Sequence, residues 1–345
     1  MEVPPMLKVG LVGMGYWGPN LARVLNQSPK CEFVAACDLN PRNLDKITRQ
    51  YPTVVGYRDF DAFLQSDVQA VVIATPISTH YELAKAALLA GKHVFVEKPI
   101  ADAGSKARKL VELANKTQHT LFVGHTFIYS PPVIKVKQLI DSGDLGDIHY
   151  VSLSRVNLGL YQSDVDVVWD LAVHDVSILL YWLGEKPIRG AAFGRACVQS
   201  EKRDVAFLWL EFPSGIIAHN EISWLSPQKM RRTCVVGSKR MVVYDDMDSA
   251  EKVKVYDRGV NVKEPSNFGE FQLTYRMGDM YAPYLENAEP LLREIEHFVA
   301  CCEQGVIPTT SGEFGAQVVE TLEMVNRTDV ASWNTSTMSS VGAQL

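Results

Sequence analysis

The stretch that decides the fold is LKVGLVGMGYWGPNLARVLNQ, residues 7–27. Its first seven residues are almost continuously apolar, which predicts a strand covered on both faces, as in a parallel sheet. GMGYWG (13–18) follows this strand directly, and NLARVLNQ then begins a helix. Strand, glycine turn and helix in immediate succession are typical of the start of an α/β domain.

The same alternation of predicted strands and helices continues to residue 126. Short apolar runs predict further strands at 31–38, 53–57, 70–75, 93–98 and 120–125. Helical stretches lie between them, among them 80–92, which Gly91 is expected to cap at its C-terminal end, and 105–117. Alternation of this kind predicts a Rossmann-type, doubly wound parallel sheet over residues 1–126.

The order of predicted strands and helices changes after Pro131 and Pro132. Helices are predicted at 133–142, 169–184, 285–303 and 312–327, with an extended stretch at 148–159. Strands and turns fill 189–256, where Gly237-Ser238 predicts a hairpin. We therefore expect an α+β domain with a largely antiparallel sheet over 127–333, used for substrate binding and oligomerisation, and a poorly ordered polar tail at 334–345.

Composition narrows the class of protein. The chain has 345 residues and a net charge of -6, so nucleic acid is not an expected partner. No apolar run approaches the roughly 20 residues that cross a bilayer, so no membrane partner is expected either. Six cysteines without CxxC spacing, and an N-terminus without a signal-peptide layout, predict reduced thiols in a cytoplasmic protein.

The glycine turn predicts a dinucleotide site. Gly13 permits the tight turn, Gly15 lets backbone approach a pyrophosphate, and Gly18 allows close packing of helix on strand. Asp38 ends the second strand, where its carboxylate would accept hydrogen bonds from the adenine ribose. This position favours NAD over NADP, although Arg42 could soften the preference. The candidate cofactor contacts of this region are Gly13, Gly15, Tyr16, Trp17, Gly18 and Asp38.

Polar residues also end the fourth and fifth strands, at the sheet edge where ligands bind. The fourth strand leads to Thr75 and Pro76, with His80 on the following turn, and the fifth leads to Glu97 and Lys98. A lysine at a strand end is usually a solvated surface residue. In the nicotinamide half of a dinucleotide site, it is instead a candidate for contact with cofactor and substrate.

The predicted helix WDLAVHDVSILLYWLG (169–184) is mainly apolar, but its first turns carry two aspartates and a histidine. Asp170 and His174 are four residues apart and share a helix face, so Asp170 would orient His174 as a general base. Asp175 points elsewhere and has no assigned role. A metal site from Asp164, Asp166, Asp170 and His174 is disfavoured, because aspartate is common at helix starts anyway.

GMGYWG, AGKHVFVEKP (90–99), DLAVHDVSILLYWLG (170–184) and the stretch 284–315 together resemble the glucose–fructose oxidoreductase/inositol dehydrogenase/MocA (Gfo/Idh/MocA) family. The resemblance implies an NAD-dependent dehydrogenase whose catalytic residues are Lys98, Asp170 and His174. His174 would accept a hydroxyl proton, Lys98 would stabilise the oxygen, and Asp170 would hold substrate or orient His174. The resemblance also implies a cis bond between Lys98 and Pro99.

Within that family, GYWGPNLAR, GHTFIYSP (124–131) and the stretch 155–175 are most similar to dehydrogenases of UDP-N-acetylglucosaminuronate that act at C3. This implies a nucleotide-sugar pocket that also contains Lys98, Asp170 and His174 and is completed by Arg155, Asn157, Tyr161, Trp169 and Tyr284. The alternative is that residues 155–157 belong to the sheet and the aromatics to the core.

Two alternatives for the function stay open. One is a dehydrogenase of inositol, another polyol, or a free or phosphorylated sugar. The other is a non-catalytic redox sensor that binds NAD, which the presence of Lys98 and His174 disfavours. An apolar sheet face in the second half predicts a homodimer or homotetramer.

Overall fold

The computed structural model describes residues 6–159, 161, 165–198, 201–262 and 273–327. The predicted tail at 334–345 lies outside these residues. The described residues form two compact units, one within 6–130 and 288–320 and the other within 131–287 and 321–327. The linear division expected at residue 126 is therefore corrected, because residues 288–320 belong to the first unit.

The first unit contains a six-stranded parallel sheet in the order β3-β2-β1-β4-β5-β6, which is the order of a dinucleotide-binding fold. The strands are β1 Leu7–Val12, β2 Cys31–Cys37, β3 Val55–Tyr57, β4 Ala70–Ile73, β5 His93–Glu97 and β6 Leu121–Gly124. The helices between them are α1 Gly18–Gln27, α2 Pro41–Gln50, α3 Phe60–Leu64, α4 Ile77–Leu89 and α5 Gly104–Thr117. Every residue of β4 is buried, as expected for a strand covered on both faces.

The second unit contains an eight-stranded sheet in the order β14-β13-β12-β11-β7-β10-β9-β8. Its helices are α6 Pro131–Asp141 and α7 Val173–Leu183, and its strands are β7 Ile148–Leu158, β8 Arg189–Arg195, β9 Val205–Glu211, β10 Ile217–Ser223, β11 Leu225–Gly237, β12 Met241–Asp245, β13 Val253–Val262 and β14 Leu273–Tyr281. β7 and β10 pair in parallel and the other neighbours are antiparallel. The hairpin predicted at Gly237-Ser238 joins β11 to β12.

One face of the second sheet carries helices and the other is open. The indole of Trp182 on α7 donates to the carbonyl of Val133 on α6 and packs against the ring of Tyr244 on β12. On the opposite face, Phe193 of β8 and Phe207 of β9 lie directly across from each other and are 66% and 51% exposed. Exposed apolar side chains of this kind are typical of a face that contacts another protein.

Two helices complete the described chain, α8 Pro290–Gln304 and α9 Gly312–Arg327. α8 packs on the sheet of the first unit, where the ring of Phe298 contacts the rings of Phe95 on β5 and Phe122 on β6. No described helix is long and apolar enough to cross a membrane.

Candidate active site

The glycine turn leaves its backbone accessible to a ligand. Gly13 has a φ of +92°, and a Cβ there would lie 2.6 Å from the carbonyl oxygen of Ala74. A Cβ on Gly18 would lie 2.2 Å from the carbonyl oxygen of Gly13, so the helix can begin this close to the strand only with glycine. Gly15 is exposed and a Cβ there would meet nothing within 4 Å, so space is open on its outer side.

The start of α1 is suited to a phosphate group. Among the described residues, no side chain caps this helix at Trp17, and its first turn carries no acidic residue. The helix dipole therefore favours an anion at this end. Tyr16 is 87% exposed and Trp17 is also exposed at the same turn.

Asp38 follows β2 and is held by three hydrogen bonds. Its Oδ2 accepts from the backbone N–H of Met14 at 2.7 Å and from Nδ2 of Asn43 at 3.1 Å, and its Oδ1 accepts from the N–H of Asn40 at 2.7 Å. The carboxylate is thus fixed next to the glycine turn but remains half-exposed. These residues fit a dinucleotide with free ribose hydroxyls.

The other predicted cofactor residues at the sheet edge differ in access. Thr75 is half-buried and Pro76 is exposed, whereas His80 is 2% exposed. The two ring nitrogens of His80 lie 2.8 Å from the carbonyl oxygens of Pro99 and Thr75. His80 therefore links the segment after β4 to the segment after β5 by hydrogen bonds. Burial lowers the pKa of its imidazole.

Glu97 ends β5 and Lys98 follows it, and both side chains are half-buried. The bond between Lys98 and Pro99 is cis, as the resemblance implied. Oε2 of Glu97 accepts from the backbone N–H of Lys98 at 3.3 Å. Burial is the main influence on Glu97 and raises the pKa of its carboxyl to about 7, while the Lys98 charge acts in the opposite direction.

In the second unit, Asp170 lies in a π-helical turn, Val168–Ala172, that precedes α7. The sequence predicted one continuous helix over 169–184, so this widened turn is a difference from the expectation. π turns are rare and frequently occur at functional sites. His174 is the second residue of α7, and both Asp170 and His174 are half-buried.

Trp224 is a site residue that the sequence did not identify. Its indole N–H donates to Oδ2 of Asp170 at 2.9 Å, and the side chain is 1% exposed. Tyr161 packs on the Trp224 ring with centroids 5.2 Å apart, and its hydroxyl donates to Asp204. A Cβ on Gly159 would lie 2.4 Å from Trp224, so the surroundings hold this indole in one position.

Arg155 and Asp175 form a buried ion pair. Nε and Nη2 of Arg155 donate to Oδ1 of Asp175 at 2.8 and 2.6 Å, and Nδ2 of Asn220 donates to Oδ2 at 2.9 Å. Arg155 is 4% exposed and Asp175 is 3% exposed. This geometry fits the structural alternative for Arg155 and not contact with a sugar, and it gives Asp175 a role in joining α7 to β7 and β10.

The remaining predicted substrate residues lie in the same unit. Asn157 is half-buried on β7, two residues beyond Arg155 and on the same face of the strand. Trp169 is half-buried in the π turn, and Tyr284 is 85% exposed. Among the described residues, no group of three or more histidine, cysteine or acidic side chains is arranged to hold a metal ion.

Comparison with known proteins gives matches over both units. The profile described as "Oxidoreductase family, NAD-binding Rossmann fold" matches residues 7–125, and the "GFO/IDH/MocA C-terminal domain" profile matches 133–243. UDP-N-acetylglucosamine 3-dehydrogenase of Acidithiobacillus ferrooxidans is 27% identical over 264 residues, covering 73% of this chain and 78% of that protein. Inositol 2-dehydrogenase of Rhizobium meliloti is 24% identical over 323 residues, covering 90% and 92%.

Solved structures agree on the fold. The A. ferrooxidans enzyme superposes with a TM-score of 0.78 at 24% identity, covering 93% of this chain and 96% of that chain. GenD2 from gentamicin A biosynthesis, solved in complex with NAD, gives a TM-score of 0.78 at 25% identity and covers 94% of each chain.

Proposed function

The chain belongs to the Gfo/Idh/MocA family of NAD-dependent oxidoreductases, and from this premise we propose that it oxidises a secondary hydroxyl of a sugar. The proposed substrate is a nucleotide-linked sugar, oxidised at C3. The arrangement around the glycine turn carries the proposal: the turn is open at Gly15, the start of α1 has no side-chain cap, and the Asp38 carboxylate is bonded to the turn through the N–H of Met14.

In the proposed reaction NAD accepts the hydride, and side chains of the protein handle the proton and the charge on the oxygen. Bound NAD supplies a hydride acceptor at its nicotinamide ring. His174 accepts the proton of the substrate hydroxyl, so that the hydroxyl carbon can lose its hydride and become a carbonyl. Lys98 stabilises the negative charge that develops on the oxygen. Asp170 holds the substrate or orients His174, and the hydrogen bond from Trp224 fixes the direction of its carboxylate.

The choice of nucleotide sugar over polyol rests on similarity. The sequence segments 124–131 and 155–175 favour the nucleotide-sugar branch, and the A. ferrooxidans relative acts on UDP-N-acetylglucosamine according to its name. An inositol dehydrogenase matches a larger share of the chain at lower identity, so inositol and other polyols form the alternative substrate class.

The test is a substrate panel with a base-deficient variant. Wild-type protein with NAD and a UDP-linked sugar should produce NADH, followed by its absorbance. His174→Asn should keep its affinity for NAD and lose roughly 10²- to 10⁴-fold in rate, the usual contribution of a general base. His149→Asn, at an exposed position on β7, is the matched control. Near-normal activity of His174→Asn would place the base elsewhere.

A further inference from the structure

Two glutamates of the first unit lie on the same side of its sheet. Phe95 and Glu97 alternate on β5 and therefore project from the same face. The ring of Phe298 on α8 packs on Phe95, with centroids 5.7 Å apart, and Glu294 lies one helical turn before Phe298. The helix thus brings Glu294 over the end of β5, where Glu97 is located.

The polar atoms at this place are enclosed and incompletely paired. Glu294 has no exposed surface and His125 has 1%. Among the described residues, Oε1 of Glu97, Oε1 of Glu294 and both ring nitrogens of His125 are buried without a hydrogen-bond partner. Oε2 of Glu294 accepts from Oγ1 of Thr126 at 2.6 Å. Unpaired buried atoms are costly, so a proton or an ordered water is expected to join them.

Two adjacent buried carboxyls cannot both be charged at moderate cost. Burial raises the pKa of Glu294 well above its usual range, and the charge of Glu97 raises it further. Glu97 has a smaller rise, to about 7, because Lys98 and the Trp17 indole favour its charged form. Burial also lowers the pKa of His125 to about 3, so this imidazole stays neutral.

We propose that Glu294 stays protonated and donates a hydrogen bond to Glu97, directly or through one water, and that the negative charge of Glu97 makes the site favour oxidised over reduced nicotinamide as the pH rises. Glu97 ends β5, at the part of the sheet edge where the proposed function places the nicotinamide ring. The ring is positively charged in NAD⁺ and neutral in NADH, so a nearby carboxylate attracts only the oxidised form. Glu294 acts through Glu97 and is a positioning residue.

Burial lowers the pKa of the histidines His80, His125 and His297 near the pair, so none of them gains charge as the pH rises. His125, at the end of β6, neighbours Lys98 and stays neutral. His80, which also neighbours Lys98, has both ring nitrogens at backbone carbonyls, and burial lowers its pKa. Glu97 is therefore the group of this cluster that changes charge near neutral pH.

The experiment compares the dissociation constants of NAD⁺ and NADH from about pH 6 to about pH 8.5, by calorimetry and by NADH fluorescence. In the wild type, the ratio of the NAD⁺ constant to the NADH constant should fall about tenfold as Glu97 ionises. In Glu97→Gln the ratio should stay at its low-pH value throughout. A wild-type ratio independent of pH would overturn the proposal.

Variants of Glu294 test whether its carboxyl acts as a hydrogen-bond donor to Glu97 or only fills space in the core. Glu294→Gln retains a neutral donor and should keep the wild-type pH dependence, whereas Glu294→Leu should move the transition to higher pH because the charge of Glu97 loses a hydrogen bond. Glu296→Gln, on the outer side of α8 in a surface pair with Lys30, is the control. A large downward shift in Glu294→Gln would mean that Glu294 is ionised, contrary to the proposal.

This inference rests on the NAD binding of the proposed function but not on its substrate. The affinity measurements need no sugar. A normal pH-dependent ratio without turnover of any sugar would refute only the proposed activity, and turnover with a flat ratio would refute only the role of the glutamates.

Discussion

Asp175→Asn tests whether the buried ion pair holds α7 in place. The substitution keeps the size of the side chain but removes the charge that faces Arg155. In the structure, Asp175 accepts three hydrogen bonds, two from Arg155 and one from Asn220, and the two charged side chains are 5% and 4% exposed. A buried guanidinium without its counter-charge costs about 3–5 kcal/mol. Since asparagine keeps one acceptor, we expect a loss near the lower end, about 3 kcal/mol.

Urea unfolding followed by tryptophan fluorescence measures this loss. With a slope of about 1–3 kcal/mol per molar urea, the midpoint should fall by roughly 1–3 M. The double variant Arg155→Met/Asp175→Leu should recover most of the loss, because apolar residues of similar volume replace buried ion pairs well. If Asp175→Asn lost less than about 1 kcal/mol, the pair would be accessible to water and Arg155 would again be a candidate substrate contact.

Asp38→Ala should weaken NAD binding about tenfold and affect NADP much less, because the 2′-hydroxyl of the adenine ribose, from which the carboxylate would accept, is free in NAD and phosphorylated in NADP. Equal losses in a titration of both cofactors would refute this contact. Trp224→Phe should lower kcat about tenfold with little change in KM and add nothing in an Asp170→Asn background; independent, additive losses would show that Trp224 does not act through Asp170. Phe207→Lys should shift the protein to a smaller species in analytical ultracentrifugation, and an unchanged mass would exclude the open sheet face as the interface.

The first unit could be predicted well from sequence because its signals are local. Apolar runs of four to seven residues mark strands buried on both faces, and the glycine turn fixes the order of strand, loop and helix. The grouping of residues 288–320 with this unit differs from the linear division expected at residue 126. Packing of Phe298 on Phe95 joins positions about two hundred residues apart, and no local periodicity encodes such a contact.

The candidate site was predictable only in part, for the same reason. The turn residues and Asp38 follow from spacing, and Lys98 and His174 from motifs. The long-range partners of other site residues cannot be predicted in this way. Trp224 donates to Asp170 across 54 residues of sequence, and Asp175 meets Arg155 only because of how α7 packs on β7. The resemblance implies Arg155 as a pocket residue and leaves its place in the sheet as the alternative, and the sequence does not decide between them because an arginine on a strand gives no sign of which face it occupies.

The most direct test of the account is the formation of NADH by the wild-type protein with NAD and UDP-N-acetylglucosamine or the corresponding uronate, compared with inositol and the free sugars. We predict NADH formation with a nucleotide-linked sugar and its loss in His174→Asn. Tight binding of NAD without NADH formation from any nucleotide sugar, free sugar or polyol would contradict the proposed activity and favour a protein that binds NAD as a redox sensor.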